Sequence, residues 1–195
     1  MKNLPRTRFT GSDLSAMSAY EVVALLHKGE VSSNELVDLS AQRIKTVEPR
    51  VNAMPTTCPG LAVAAGQRWS QAVSSQGEAG YLAGLTIGIK DLNAVKGVRS
   101  TCGSVGLKDH IPDHSDYFVE RLEQRGAIVM GKTNTPEMGA GGNTFNAVFG
   151  ATCNPWDTTK NAGGSSGGAA VSLATGEVWL SQGSDLAGSL RTPAA

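Results

Sequence analysis

From Tyr81 onward, short apolar runs alternate with helix-like segments, and glycines punctuate most of the junctions. Leu85, Ile87 and Ile89 alternate with Thr86, Gly88 and Lys90, the period of a half-buried strand. Residues 117–125 read as a short helix stopped at Arg125-Gly126, and residues 127–130 as a compact apolar strand. Residues 169–175 are small and helix-compatible, and Val178-Trp179-Leu180 reads as another strand. Strands that alternate with helices need crossover connections, so the pattern predicts an α/β fold with a mixed or mainly parallel sheet flanked by helices. Glycine accounts for 24 of 195 residues and is concentrated between Gly80 and Gly188. It serves where a backbone must take positive φ or come close to a ligand. Interleaving with apolar runs argues against a flexible linker.

The preceding segment has a different texture, which divides the chain into a helical leader over residues 1–79 and a core over 80–195. Ser18 and Glu21 form a capping-box pattern ahead of Val22, Val23, Leu25 and Leu26, with Gly29 as a stop. Ser32 and Glu35 repeat it ahead of Leu36, Val37, Leu39, Ile44 and Val47, and Pro49 is expected to close that helix. A third helix is expected from about residue 60 to 74. Scaffolding is the simplest role for this region.

Bulk composition excludes several classes. The 17 basic and 17 acidic residues balance, and no Lys/Arg stripe with interleaved aromatics is present, which argues against direct nucleic-acid binding. No run approaches the ~20 apolar residues of a membrane helix. Residues 1–10 carry basic residues without an apolar run after them, so no signal peptide is expected. Cys58, Cys102 and Cys153 are odd in number and widely spaced, which fits reduced thiols and a cytoplasmic location.

Three segments could carry chemistry. Lys90 follows an apolar strand; alone, such a lysine is usually a surface cation, but burial would lower its pKa and make it a base. Asp91 would point to the opposite strand face, which weakens an ion pair between the two. The Gly-Gly-Ser-Ser-Gly-Gly run at 163–168 lacks the lysine of a phosphate-binding loop and the spacing of a dinucleotide fingerprint. It remains a donor-rich turn before a helix. In the third segment, 183–191, Gly183, Ala187 and Gly188 allow close backbone approach, so that N–H groups could form an anion nest ending at Ser189. Asp185 and Arg191 could pair across that turn; taken alone, an ordinary strand-to-helix connection is the simpler reading. His27, His110 and His114 lie away from the serine-rich segments, and Ser189 has no Gly-x-Ser-x-Gly elbow.

Taken together, Lys90, the two serine loops 24 residues apart, Gly131-Lys-Thr-Asn-Thr-Pro-Glu-Met-Gly139 and Asn154-Pro-Trp-Asp157 resemble the amidase signature family. The likeness runs over residues 17–195. It implies hydrolysis of a small-molecule amide by a Ser–Ser–Lys triad, with no metal or cofactor. By motif position, Ser189 would be the nucleophile and Lys90 the base. Ser165 would be the bridging serine, which the family holds after a cis peptide bond. Ser166 would be an auxiliary hydroxyl, and the backbone N–H groups of Leu186, Ala187, Gly188 and Ser189 the oxyanion hole. Met138 and Gly139 are candidates for the acyl side of the pocket, with packing equally open.

The chain also departs from the family. Ala187 stands where many members have glycine; its methyl would narrow the approach unless the residue has negative φ. Family members are well over twice as long. The resemblance therefore implies a fold incomplete at the carboxyl terminus, in which an open sheet would wet Lys90 and leave the isolated chain with little activity. Two rivals stand beside a plain amidase: a glutaminase component of a tRNA amidotransferase, and an inactive amidase-like chain. A homodimer is open for a full-length parent.

Overall fold

The computed structural model describes residues 11–71 and 80–195. The segment read for a signal peptide, and residues 72–74 of the expected third helix, lie outside the described residues. Three helices begin the described chain: α1 (Asp13–Ala16), α2 (Ala19–Lys28) and α3 (Ser33–Val51). Both capping boxes form. Glu21 and Glu35 each take the N–H of the capping serine at 2.8 Å, while that serine's hydroxyl accepts the glutamate N–H. Gly29 ends α2 with φ 70°. Pro49 does not close α3, which continues to Val51 and stops at Asn52 in a left-handed conformation. A proline in the last turn forfeits one helical bond without breaking the helix. Glu48 holds the exit instead, its Oε1 accepting the N–H groups of Ala53 and Met54 at 2.7 and 2.9 Å.

The chain then runs through β1 (Thr56–Thr57), α4 (Pro59–Gln71), β2 (Thr86–Lys90), α5 (Tyr117–Gln124) and β3 (Ile128–Thr133). Two small antiparallel hairpins follow, β4 (Phe145–Asn146) with β5 (Gly150–Ala151) and β6 (Cys153–Asn154) with β7 (Asp157–Asn161). The last elements are α6 (Gly167–Ala174), β8 (Leu180–Ser181) and α7 (Arg191–Ala194). A four-stranded sheet has the order β1-β3-β2-β8, with β2 parallel to β3 and β8, and β1 antiparallel to β3. The protein is thus mixed α/β. Thr56 and Thr57 come from the leader, so that segment contributes an edge strand as well as helices.

The expectation of a half-buried β2 is not met: all five of its residues are buried. Ile87 and Ile89 pack with Val95, Val98, Val119 and Val129 on one face. On the other, Ile128 and Met130 join Val37, Ile44 and Val178. The polar residues of β2 face hydrogen-bonding partners rather than water, as when Thr86 Oγ1 meets Ser40 Oγ of α3 at 2.9 Å. A register shift between Ile87 and Gly88 pairs Ile89 with Lys132 and Lys90 with Thr133. Because side chains alternate along a strand, Lys90 and Lys132 project to opposite faces of the sheet. No helix among the described residues is long and apolar enough to cross a membrane.

Candidate active site

Lys90 ends the central strand and is completely buried, at 0% exposure. Its Nζ donates to Ser165 Oγ at 2.7 Å, Ser166 Oγ at 2.9 Å and Ser184 Oγ at 3.0 Å. Burial pushes its pKa down to about 8, against an opposing pull from the Asp185 charge. At pH 7 about one Lys90 in ten is then neutral, where an exposed lysine would be almost wholly protonated. The expected wetting of Lys90 is therefore overturned: α6 and the two loops seal it within this chain.

The adjacent Asp91 turns away, as strand alternation requires. It accepts the Thr101 N–H and hydroxyl and pairs with Lys132 at 3.0 Å, with both charged side chains at or below 2% exposure. Lys132 also donates to Ser100 Oγ at 2.7 Å. Of the two buried lysines, Lys132 makes the ion pair with Asp91. Lys90 faces hydroxyls.

Ser165 follows a cis peptide bond from Gly164. The loop is pressed onto its surroundings, and a side chain at Gly164 would come within 2.9 Å of the Asn143 backbone. Ser166, expected as an auxiliary hydroxyl, also bonds to the second serine loop. Its N–H donates to the Ser189 carbonyl at 2.9 Å, and its hydroxyl contacts both the N–H and the carbonyl of Ser184 at 3.2 Å. It fastens the two serine loops together.

The second loop is built around Asp185. That carboxylate accepts the N–H groups of Gly188 at 2.7 Å and of Leu190 and Arg191 at 3.1 Å, and takes the Arg191 guanidinium in a two-pronged contact at 2.9 Å. The Arg191 hydrogen bonds, followed by the backbone donors, hold the Asp185 carboxyl well below the usual range. Gly188 has φ 98°, a conformation that favours glycine, whereas Ala187 is not among the positive-φ residues and carries its methyl without strain. The four N–H groups expected to form an oxyanion hole differ in their partners. Gly188 N–H is committed to Asp185, while those of Leu186, Ala187 and Ser189 have no acceptor among the described residues. Ser189 is partly buried, and its hydroxyl makes no hydrogen bond among those residues.

Sequence reasoning missed Ser184. Its only signal was a hydroxyl directly before Asp185, which gains meaning once β8 lies beside β2. Met138, with φ 52° and its N–H on the Cys102 carbonyl at 2.7 Å, and Gly139 beside Leu92 lie after β3. Neither hydrogen-bonds to Lys90 or the serines. A groove of about 600 Å³ along α6 and α7 is lined by none of Lys90, Ser165, Ser184 or Ser189. Among the described residues, no group of three or more His, Cys, Asp and Glu is placed to hold a metal ion.

A parallel central strand ending in a dry lysine, clasped by hydroxyls from two glycine-rich loops, defines the class of lysine–serine α/β proteins. The Amidase family model matches residues 35–195, and the chain belongs to that family. It is 44% identical over 170 residues to a glutamyl-tRNA(Gln) amidotransferase component from Synechococcus sp. (strain CC9605), covering 87% of this chain and 35% of that protein. Among solved structures it resembles a bacterial aryl acylamidase of the amidase signature enzymes, with TM-score 0.87, 34% identity, and 94% of this chain matched to 38% of the other. It also resembles a 6-aminohexanoate cyclic dimer hydrolase complexed with substrate, with TM-score 0.83, 33% identity, and 94% matched to 36%. The chain therefore spans little more than a third of the length of these relatives.

Proposed function

We propose that this protein hydrolyses the C–N bond of a small carboxamide through an acyl intermediate on Ser189. One observation carries the reading: a fully buried Lys90 sits 2.7 Å from Ser165 Oγ with no carboxylate in hydrogen-bonding contact. Neutral Lys90 accepts the Ser165 proton, Ser165 accepts that of Ser189, and Ser189 Oγ attacks the carbonyl carbon. The N–H groups of Leu186, Ala187 and Ser189 receive the oxyanion, where one donor is worth ~10²–10³ in rate. Gly188 N–H instead keeps the loop in shape through Asp185. The relay then runs backwards, the C–N bond breaks as the leaving nitrogen takes the proton, and water releases the acyl group as a carboxylic acid.

A second reading, glutamine as the amide substrate within a tRNA amidotransferase, is favoured by the name of the 44%-identical relative. In that case other proteins of the complex would make the RNA contacts. The unpaired state of Cys58, Cys102 and Cys153 supports a cytoplasmic setting, and a homodimer is the simplest assembly for a plain amidase.

The test compares hydrolysis of aryl and alkyl carboxamides with that of glutamine, and follows covalent labelling by a fluorophosphonate. Ser189→Ala should abolish both turnover and labelling. Turnover that survives Ser189→Ala would sink the proposal.

A further inference from the structure

Two glutamates outside the lysine–serine cluster pose a proton-counting problem. Glu177 lies in the turn that joins α6, which follows the first serine loop, to β8, which leads into the second. It is buried at 0% exposure. Its Oε1 accepts the Thr175 hydroxyl at 2.7 Å, while its Oε2 is sealed from solvent and has no hydrogen-bond donor among the described residues. Among the described residues, Glu48 of α3 also lies within hydrogen-bonding reach of Glu177. Glu48 has already committed Oε1 to the N–H groups of Ala53 and Met54. Two carboxylates both accept and neither donates, so this contact cannot be a hydrogen bond unless a proton lies between them.

We propose that Glu48 and Glu177 share one proton as a carboxylic acid–carboxylate clamp, and that the clamp positions the turn between the two serine loops against α3. Like charges in direct contact cannot both ionise in a dry site, and one shared proton removes the repulsion and supplies the missing donor. Arg43, also on α3, is the cation that acts on Glu177, and its Nε donates to the Thr175 carbonyl at 2.6 Å. Burial and the Glu48 charge push Glu177 up to about 8, and burial raises Glu48 as well. The clamp itself follows from these contacts; its bearing on catalysis rests on the amide-hydrolase reading.

The direction of the pH dependence follows. Folded Glu177 holds its proton up to about 8, whereas the unfolded group releases it near 4.5. Within that window the native state binds more protons than the unfolded state, so stability falls as pH rises. The shared proton is lost above about 8, and towards the acid end Glu48, which burial also raises, takes up a proton of its own, so that the pair becomes two carboxylic acids.

Thermal melting across this window, with δ-carbon NMR titration of ¹³C-labelled glutamates, tests the clamp without any turnover. In the wild type, one glutamate should titrate above about pH 7, far from the ordinary ~4.3, and the melting temperature should fall across the window. Glu177→Gln puts a permanent N–H where the shared proton was; it should remove that resonance and flatten the melting profile. Glu48→Gln should flatten it too, and decides the matter with the wild-type titration if Glu177→Gln does not fold. Every glutamate titrating near its ordinary value, or an unaltered melting slope in the glutamine variants, overturns the clamp. For its effect on the site, hydrolysis by the wild type should decline above about pH 8, with the decline absent in Glu177→Gln. Should the melts and the titration come out as stated while Ser189→Ala still turns over, the clamp stands and the catalytic reading falls.

Discussion

Lys90 and Lys132 are both buried at 0% exposure, and both stand near the ends of adjacent parallel strands. Their surroundings give them opposite chemistry. Lys132 touches the Asp91 carboxylate at 3.0 Å, so its charge is matched and fixed. Lys90 touches three hydroxyls, which can accept from an ammonium or donate to an amine, so either protonation state is tolerated. Burial lowers the pKa of both; the Asp91 charge works against that effect at Lys132. A buried lysine lined by hydroxyls can exist as the free amine that a base requires, whereas one in contact with a carboxylate is held as a structural cation. The sheet enforces the separation by placing the two ammonium groups on opposite faces.

Removing each lysine tests that contrast most directly. Lys90→Met should lower kcat/KM for amide hydrolysis by ~10³-fold or more, with a folded protein and little loss of melting temperature, because a costly buried ammonium goes with it. Retention of activity within tenfold of the wild type breaks the distinction. Lys132→Met should instead cost about 3–5 kcal/mol in urea unfolding, since it strands the Asp91 carboxylate in the core. The double change Asp91→Asn/Lys132→Met should recover most of that loss, and failure to do so would show that packing rather than charge governs the pair.

Smaller effects sharpen the picture. Hydrolysis should rise with pH as Lys90 becomes neutral, reach its plateau near 8 and fall beyond it as the Glu48–Glu177 clamp is lost, the fall being absent in Glu177→Gln. Stability carries the same signature. Folded Lys90 loses its proton near 8 and the unfolded group near 10.5, so the unfolded state binds the extra proton between them and Lys90 makes stability rise with pH there. Lys90→Met should remove that rise in urea titrations. Ser184→Ala deletes one of the three acceptors that favour the ammonium form. It should shift the acid limb of the rate profile to lower pH and reduce the plateau rate by about tenfold or less. A limb that moves to higher pH would show that Ser184 does not act on Lys90.

Local signals in the sequence predicted local structure well. Ser18 with Glu21, and Ser32 with Glu35, fold as the capping boxes their three-residue spacing requires. Gly29 and Gly126 take the positive φ expected of helix stops. Strand alternation separated Lys90 from Asp91 before any contact was known. Where a local rule met tertiary context, it gave way. Pro49 sits inside α3 because Glu48 secures the exit, and β2 is buried on both faces because helices cover both sides of the sheet.

By itself, then, the sequence determined the α/β alternation, the helix caps, and the order of lysine and serine loops that marks the family. It also supplied the Asp185–Arg191 pair, whose partners stand six residues apart along one turn. Only the tertiary structure decided that Ser184 joins Lys90, that Asp91 belongs to Lys132, that Gly188 N–H is already engaged, and that Glu48 meets Glu177. These partners, the Gly188 contact apart, lie from 41 to 129 residues away in the chain. No periodicity or spacing rule spans such distances. Strand register and helix packing bring the groups together, and the resulting exclusion of water decides which of them are charged.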